Sequence, residues 1–167
     1  MATFEKIAFT EVGSGGAANI TFNTILANWT DLCVKVSARS TGAADWIGIQ
    51  YNGTTANYSQ RHLQGAGSGS GVSFTTSTPD FALINNQSGS TANTFASGEI
   101  YIPNYAGSTN KSISADTTGE ANTTVAYAQI SAELWSNTSA ITSITIYSNV
   151  GNLAQYTTAT LYGIKKA

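Results

Sequence analysis

The feature that most constrains this chain is an alternation of apolar and polar residues with a period of two. Short β-rich runs place an apolar side chain at every second position, the pattern of strands with one covered face. In Asp31–Arg39, Leu32, Val34, Val36 and Ala38 fall on one side; Cys33, Lys35, Ser37 and Arg39 fall on the other. Successive side chains of an extended backbone point to opposite faces, so the four apolar groups share one core. Trp46–Tyr51 repeats the pattern with Ile47, Ile49 and Tyr51. Phe95–Ile102 reads as a strand through Glu99, Ile100, Tyr101 and Ile102. Thr124–Trp135 sets Val125, Tyr127, Gln129 and Ser131 opposite Ala126, Ala128, Ile130 and Ala132. Ile141–Ser148 turns Ile144 and Ile146 inward. Tyr156–Ile164 carries Ala159, Leu161 and Gly163 on one side and Tyr156, Tyr162 and Ile164 on the other. No amphipathic helical period runs beyond about three turns; one short helical turn is expected near Glu133–Thr138.

Turn chemistry separates these runs. Val12-Gly13-Ser14-Gly15-Gly16 divides Ile7–Val12 from Asn19–Phe22 and predicts an N-terminal hairpin. Asn52-Gly53 tolerates the left-handed backbone of a tight reversal. Gly65–Gly71 is the most flexible stretch, and Asn85–Asn93, Asn104–Asn110 and Asn149–Asn152 are further polar loops. The spacing yields about nine or ten strands, the density of a sandwich or barrel. No linker divides the 167 residues, a length that suits one domain. The predicted fold is all-β: a single antiparallel β-sandwich over residues 1–167, of jelly-roll type.

Composition narrows the function. Ser, Thr and Asn supply 57 residues, about a third of the chain, while charged residues are only 10% against about 25% in a typical soluble protein. The net charge is −2, which argues against a nucleic-acid binder working by phosphate neutralisation. No apolar run approaches the ~20 residues that span a bilayer. The start Met1–Thr10 carries Glu5 and Lys6 without an apolar stretch, so no signal peptide is expected. The one cysteine, Cys33, excludes an internal disulfide framework and suits synthesis in a reducing cytosol. A surface of Ser, Thr and Asn loses little rotamer entropy when ordered, which suits a rigid module packed in many copies.

Reactive groups are sparse. Cys33 with His62 could pair nucleophile and base, but Cys33 lies mid-strand with no activating motif and reads as a small half-buried filler. His62, beside Arg61, reads as a surface or loop-base residue, and as the sole histidine it excludes a two-histidine metal site within one chain. Asp45, Asp80, Glu99, Asp116, Glu120 and Glu133 are scattered and read as solvated charge, although a glycosidase would need two of them facing each other. No metal, nucleotide or hydrolase motif is present, so no catalytic residue, cofactor or metal is expected. Of the aromatic residues, Trp46 and Trp135 read as core. Tyr58, His62 and Tyr105 read as the candidates for a partner or glycan contact. Eight Asn-x-Ser/Thr sites follow from composition.

The ends carry a resemblance. Met1-Ala2-Thr3-Phe4-Glu5-Lys6-Ile7, Val12–Ala17, Thr30–Lys35, Glu99–Tyr105 and Ala159–Ile164 resemble, in order, a family of small virion proteins of tailed bacteriophages, cyanobacterial and marine ones included. The resemblance implies a non-enzymatic virion structural protein, a capsid decoration or cement protein in first place. A receptor- or glycan-binding domain of a tail or head fibre is the alternative. It implies a homotrimer, contact with the major capsid protein or other virion proteins, and a place on the particle after synthesis in the host cytoplasm. It brings no catalytic residues.

Overall fold

The computed structural model describes residues 3–43, 46–67, 69–76, 81–122 and 126–165. Twelve strands are present among them: β1 (Thr3–Glu11), β2 (Asn19–Phe22), β3 (Asp31–Ala38), β4 (Trp46–Tyr51), β5 (Tyr58–Gly65) and β6 (Val72–Thr76), then β7 (Phe81–Ile84), β8 (Ala96–Ile102), β9 (Lys111–Gly119), β10 (Tyr127–Trp135), β11 (Ile144–Ser148) and β12 (Thr158–Lys165). They form an eight-stranded sheet in the order β1-β12-β3-β8-β9-β10-β5-β6 and a four-stranded sheet in the order β2-β11-β4-β7. Every ladder is antiparallel. The chain is an all-β sandwich, as the alternation predicts.

The apolar halves of the alternating strands meet between the sheets. Leu32, Val34, Ile100, Ile102 and Leu161 of the large sheet face Ile20, Ile47, Ile49, Ile144 and Ile146 of the small one, all at 2% exposure or less. Each such side chain contributes about 1.5–3 kcal/mol when fully covered. Trp29 closes one end over Gly163, where any Cβ would collide with the indole; its Nε1 donates to Glu5 at 3.3 Å.

Two expectations change. The glycine-rich turn after Val12 forms, with Gly16 N–H donating to the Gly13 carbonyl at 3.2 Å, but it makes no hairpin. β1 pairs with β12 and β2 with β11, so the turn carries the chain from one sheet to the other. No helical turn forms at Glu133–Thr138. β10 stays extended through Trp135, and cross-strand pairing with β5 and β9 on both sides holds it so. Asn52 and Gly53 do adopt the left-handed region, at φ 52° and 66°. The Asn52 side chain accepts from the Thr142 and Ser143 N–H groups at 2.8 and 3.1 Å and donates to the Ala140 carbonyl at 2.8 Å. The start of the expected strand at Thr124 and Val125, the carboxylates Asp45 and Asp80, and Ser68 of the glycine loop lie outside the described residues.

Candidate functional site

The large sheet covers only one of its faces with the small sheet. Its other face is open, and the register lays side chains across it in rows. The middle row runs Phe9, Thr160, Lys35, Glu99, Asp116, Ile130, Leu63 and Ser73, one residue from each of the eight strands. One flanking row is Glu11, Thr158, Ser37, Ser97, Thr118 and Ala128; the other is Lys6, Tyr162, Cys33, Tyr101, Ser114 and Ala132. The middle row is charged at its centre and apolar at its two ends, and the Ser37–Ser97 row beside it is small and hydroxylated. Ile130 and Leu63 are 64% and 60% exposed, and Phe9 at the opposite end is 53% exposed. Phe4 packs edge-on to Tyr162 beside it. Contiguous exposed apolar groups of this kind mark interaction surfaces.

Charge on this face lies on Lys35, Glu99 and Asp116 of the middle row and on Glu11 and Lys6 at the β1 end of the flanking rows. Lys35 Nζ meets Glu99 Oε2 at 2.8 Å, and the hydrogen bond to Glu99 raises the Lys35 pKa. Shallow depressions of about 330 Å³ beside Lys35 and Thr160, 280 Å³ beside Leu63 and Ile130, and 290 Å³ beside Arg61 and Ala132 lie along it. Cys33 belongs to this face by register yet is fully covered, flanked by Tyr162 and Tyr101. It is therefore buried rather than half-buried. Burial first, then the nearby Glu99, pushes its thiol up to about 11, so it stays protonated and a poor nucleophile.

Beneath the other half of the sheet, the inward row is polar. Gln60 and His62 of β5 and Gln129, Ser131 and Glu133 of β10 are all 5% exposed or less. His62 Nδ1 and Ser131 Oγ lie 2.8 Å apart. Gln129 Nε2 donates to the same Oγ at 3.0 Å, and Gln64 Nε2 donates to Gln129 Oε1 at 3.3 Å. The two carboxyl oxygens of Glu133, His62 Nε2 and Trp135 Nε1 find no hydrogen-bond partner among the described residues. Burial alone holds the Glu133 carboxyl well above its usual range and lowers the His62 pKa. A neutral carboxylic acid can both donate and accept a hydrogen bond.

The three residues expected to meet a partner or glycan are interior. Tyr58 stacks on Trp135 at 6.4 Å; its hydroxyl accepts from Tyr51 N–H at 2.8 Å and donates to the Thr54 carbonyl at 3.2 Å. Tyr105 has no exposed surface, and its hydroxyl donates to the Leu26 carbonyl. His62 is 3% exposed, not a surface residue, and stacks on Phe74 at 4.6 Å. Tyr58 and Tyr105 hold loops from within, and His62 lies mid-strand between Ser131 and Phe74, so the expectation of exposed aromatic contacts is corrected. The surface groups that sequence reasoning misses are Phe9, Leu63 and Ile130. Ile130 is legible as one side of the β10 alternation; the inward side carries Gln129, Ser131 and Glu133, and that inversion hides it. Among the described residues no three of His, Cys, Asp and Glu stand together as a metal site, and no helix is long and apolar enough to cross a membrane.

Compared with protein-family models, curated proteins and solved structures, the chain matches none.

Proposed function

We propose that this chain is an assembly module of a phage particle, a decoration or cement protein of the capsid that works by packing rather than by catalysis. The observation that carries the reading is the open face of the eight-stranded sheet. It spans all eight strands, carries the Lys35–Glu99 ion pair at its centre, and is apolar at both ends of its middle row. Stable interfaces spread over about 800 Å² per partner, and a face of this breadth supplies that. The strand order supports a jelly-roll reading. β1-β12-β3-β8 lies against β2-β11-β4-β7. Along the chain these eight strands alternate between the sheets, except that β4 and β7 sit side by side in the small one, which is the wiring of two interleaved Greek keys. The hairpins β5–β6 and β9–β10 then widen one sheet beyond that plan. The fibre-tip alternative loses the three aromatic contacts assigned to it.

Electron microscopy of particles carrying a tagged copy tests the proposal. Density repeated over the head lattice is the expected result; density confined to the tail, or a protein absent from particles, overturns it.

A further inference from the structure

We propose that the open sheet face is the contact between two copies of this chain, packed face to face about a two-fold axis that runs parallel to the strands between β3 and β8. The inference rests on the assembly reading and names its first partner as a second copy, a two-fold pair in place of the homotrimer that the resemblance implies.

Charge selects the axis. In a face-to-face pair with such an axis, each row meets the same row reversed. Placed between β3 and β8, the axis sets Lys35 against the partner's Glu99 and Glu99 against the partner's Lys35. One step out, Thr160 faces the partner's Asp116; two steps out, Phe9 faces the partner's Ile130. Ser37 faces the partner's Ser97 in the next row, so the backbones can approach closely at the centre. Neighbouring placements fail. An axis between β8 and β9 sets Glu99 on the partner's Asp116. An axis along β3, β8 or β9 sets a charge on its own copy. An axis between β9 and β10 buries Asp116 under the partner's Ile130. An axis at right angles, along the middle row, pairs Lys35 with the partner's Lys35 and Glu99 with the partner's Glu99. Like charges held directly opposite destabilise a contact, and a buried charge without a partner is worse. An isologous interface must complement itself, and this is the placement that sets Lys35 against Glu99 on both sides of the axis.

The area fits as well. Six strands overlap, and at ~4.8 Å between strands and ~3.4 Å per residue they project roughly 700 Å² from each copy, close to the ~800 Å² per partner of a standard interface. The Lys35 and Glu99 pairs beside the axis tolerate the crossing of about 30° usual for aligned sheets, whereas Phe9 opposite the partner's Ile130, ~12 Å from the axis, requires the two sets of strands to run nearly parallel. The ends of the middle row meet as apolar on apolar, flanked by Lys6 opposite the partner's Ala132 and Glu11 opposite the partner's Ala128. Phe9 and Ile130, more than half exposed in the single chain, lose their water together.

The test is the mass of the full chain by light scattering at micromolar concentration, with circular dichroism to confirm folding. The expected mass is twice 17.4 kDa. Lys35 and Glu99 are surface side chains at 55% and 43% exposure, so K35E and E99K keep the fold. Each alone weakens association at least tenfold, about 1.4 kcal/mol. Their equimolar mixture restores it, because every carboxylate at these positions on one copy then faces an ammonium on the other. I130E weakens association at least as much as either. A 17.4 kDa wild-type species, a threefold mass, or association unchanged in K35E or I130E overturns the two-fold contact. A dimer that never joins particles would instead overturn the virion reading and leave this contact standing.

Discussion

Glu133 sits at 3% exposure with both oxygens lacking a donor among the described residues, so its folded form keeps the proton. Few charges face it. β9 sends Lys111, whose ammonium is held by the Gly107 and Asn137 carbonyls; β5 sends His62; β4 sends the Tyr51 phenol. Below the ordinary value of 4.5 folded and unfolded chains are both protonated and the full stability is present. Above it the unfolded chain releases a proton that the folded chain retains, so stability falls with rising pH until the folded carboxyl itself ionises. Glu133→Gln removes this slope. Its urea midpoint should match wild type near pH 4.5 and exceed it increasingly as the pH is raised; parallel profiles would refute the assignment. His62 works in the opposite direction. Its pKa is lowered from 6.5, so its contribution is present above that value and is lost as the pH falls through the folded-state pKa. His62→Gln should flatten the acid side of the same profile.

Among the elements, legibility follows the chemistry of the inward row. β3 and β4 are readable because Leu32, Val34, Ile47 and Ile49 alternate with polar residues over an apolar core. β9 is not, because its covered face, Lys111, Ile113, Ala115, Thr117 and Gly119, is nearly as polar as its open one. The same inversion in β10 makes Glu133 look like the start of a helical turn. The N-terminal glycines announce a turn but not its partner strands, because they reverse a chain equally well within a sheet and between two sheets. The open face rests on register, which pairs residues as distant as Phe9 and Thr160, and no local pattern carries it. Two isoleucines of one sheet test the facing. Ile100→Ala, at 0% exposure, should cost about 2–5 kcal/mol in chemical denaturation, whereas Ile130→Ala, at 64%, should stay within about 0.5 kcal/mol for the single chain. Equal losses would mean that the faces are assigned the wrong way round. Asn52→Ala removes four hydrogen bonds to the Ala140–Ser143 segment and a residue suited to φ 52°, for about 2–3 kcal/mol in the same measurement.

For the whole molecule, the pairing of the first strand with the last dominates. β1 and β12 join residues about 150 positions apart, from Thr3↔Lys165 to Glu11↔Thr158, and β12 also holds β3. Such non-local ladders form late and slowly, so refolding followed by tryptophan fluorescence should take milliseconds to seconds; microsecond refolding would contradict this topology. The fully covered Cys33 thiol, raised to about 11, has a practical consequence for following that process. It gives each chain one silent maleimide target in the middle of the large sheet, blocked while β3 stays clasped between β12 and β8. Labelling would therefore clock the opening of those ladders without any engineered probe.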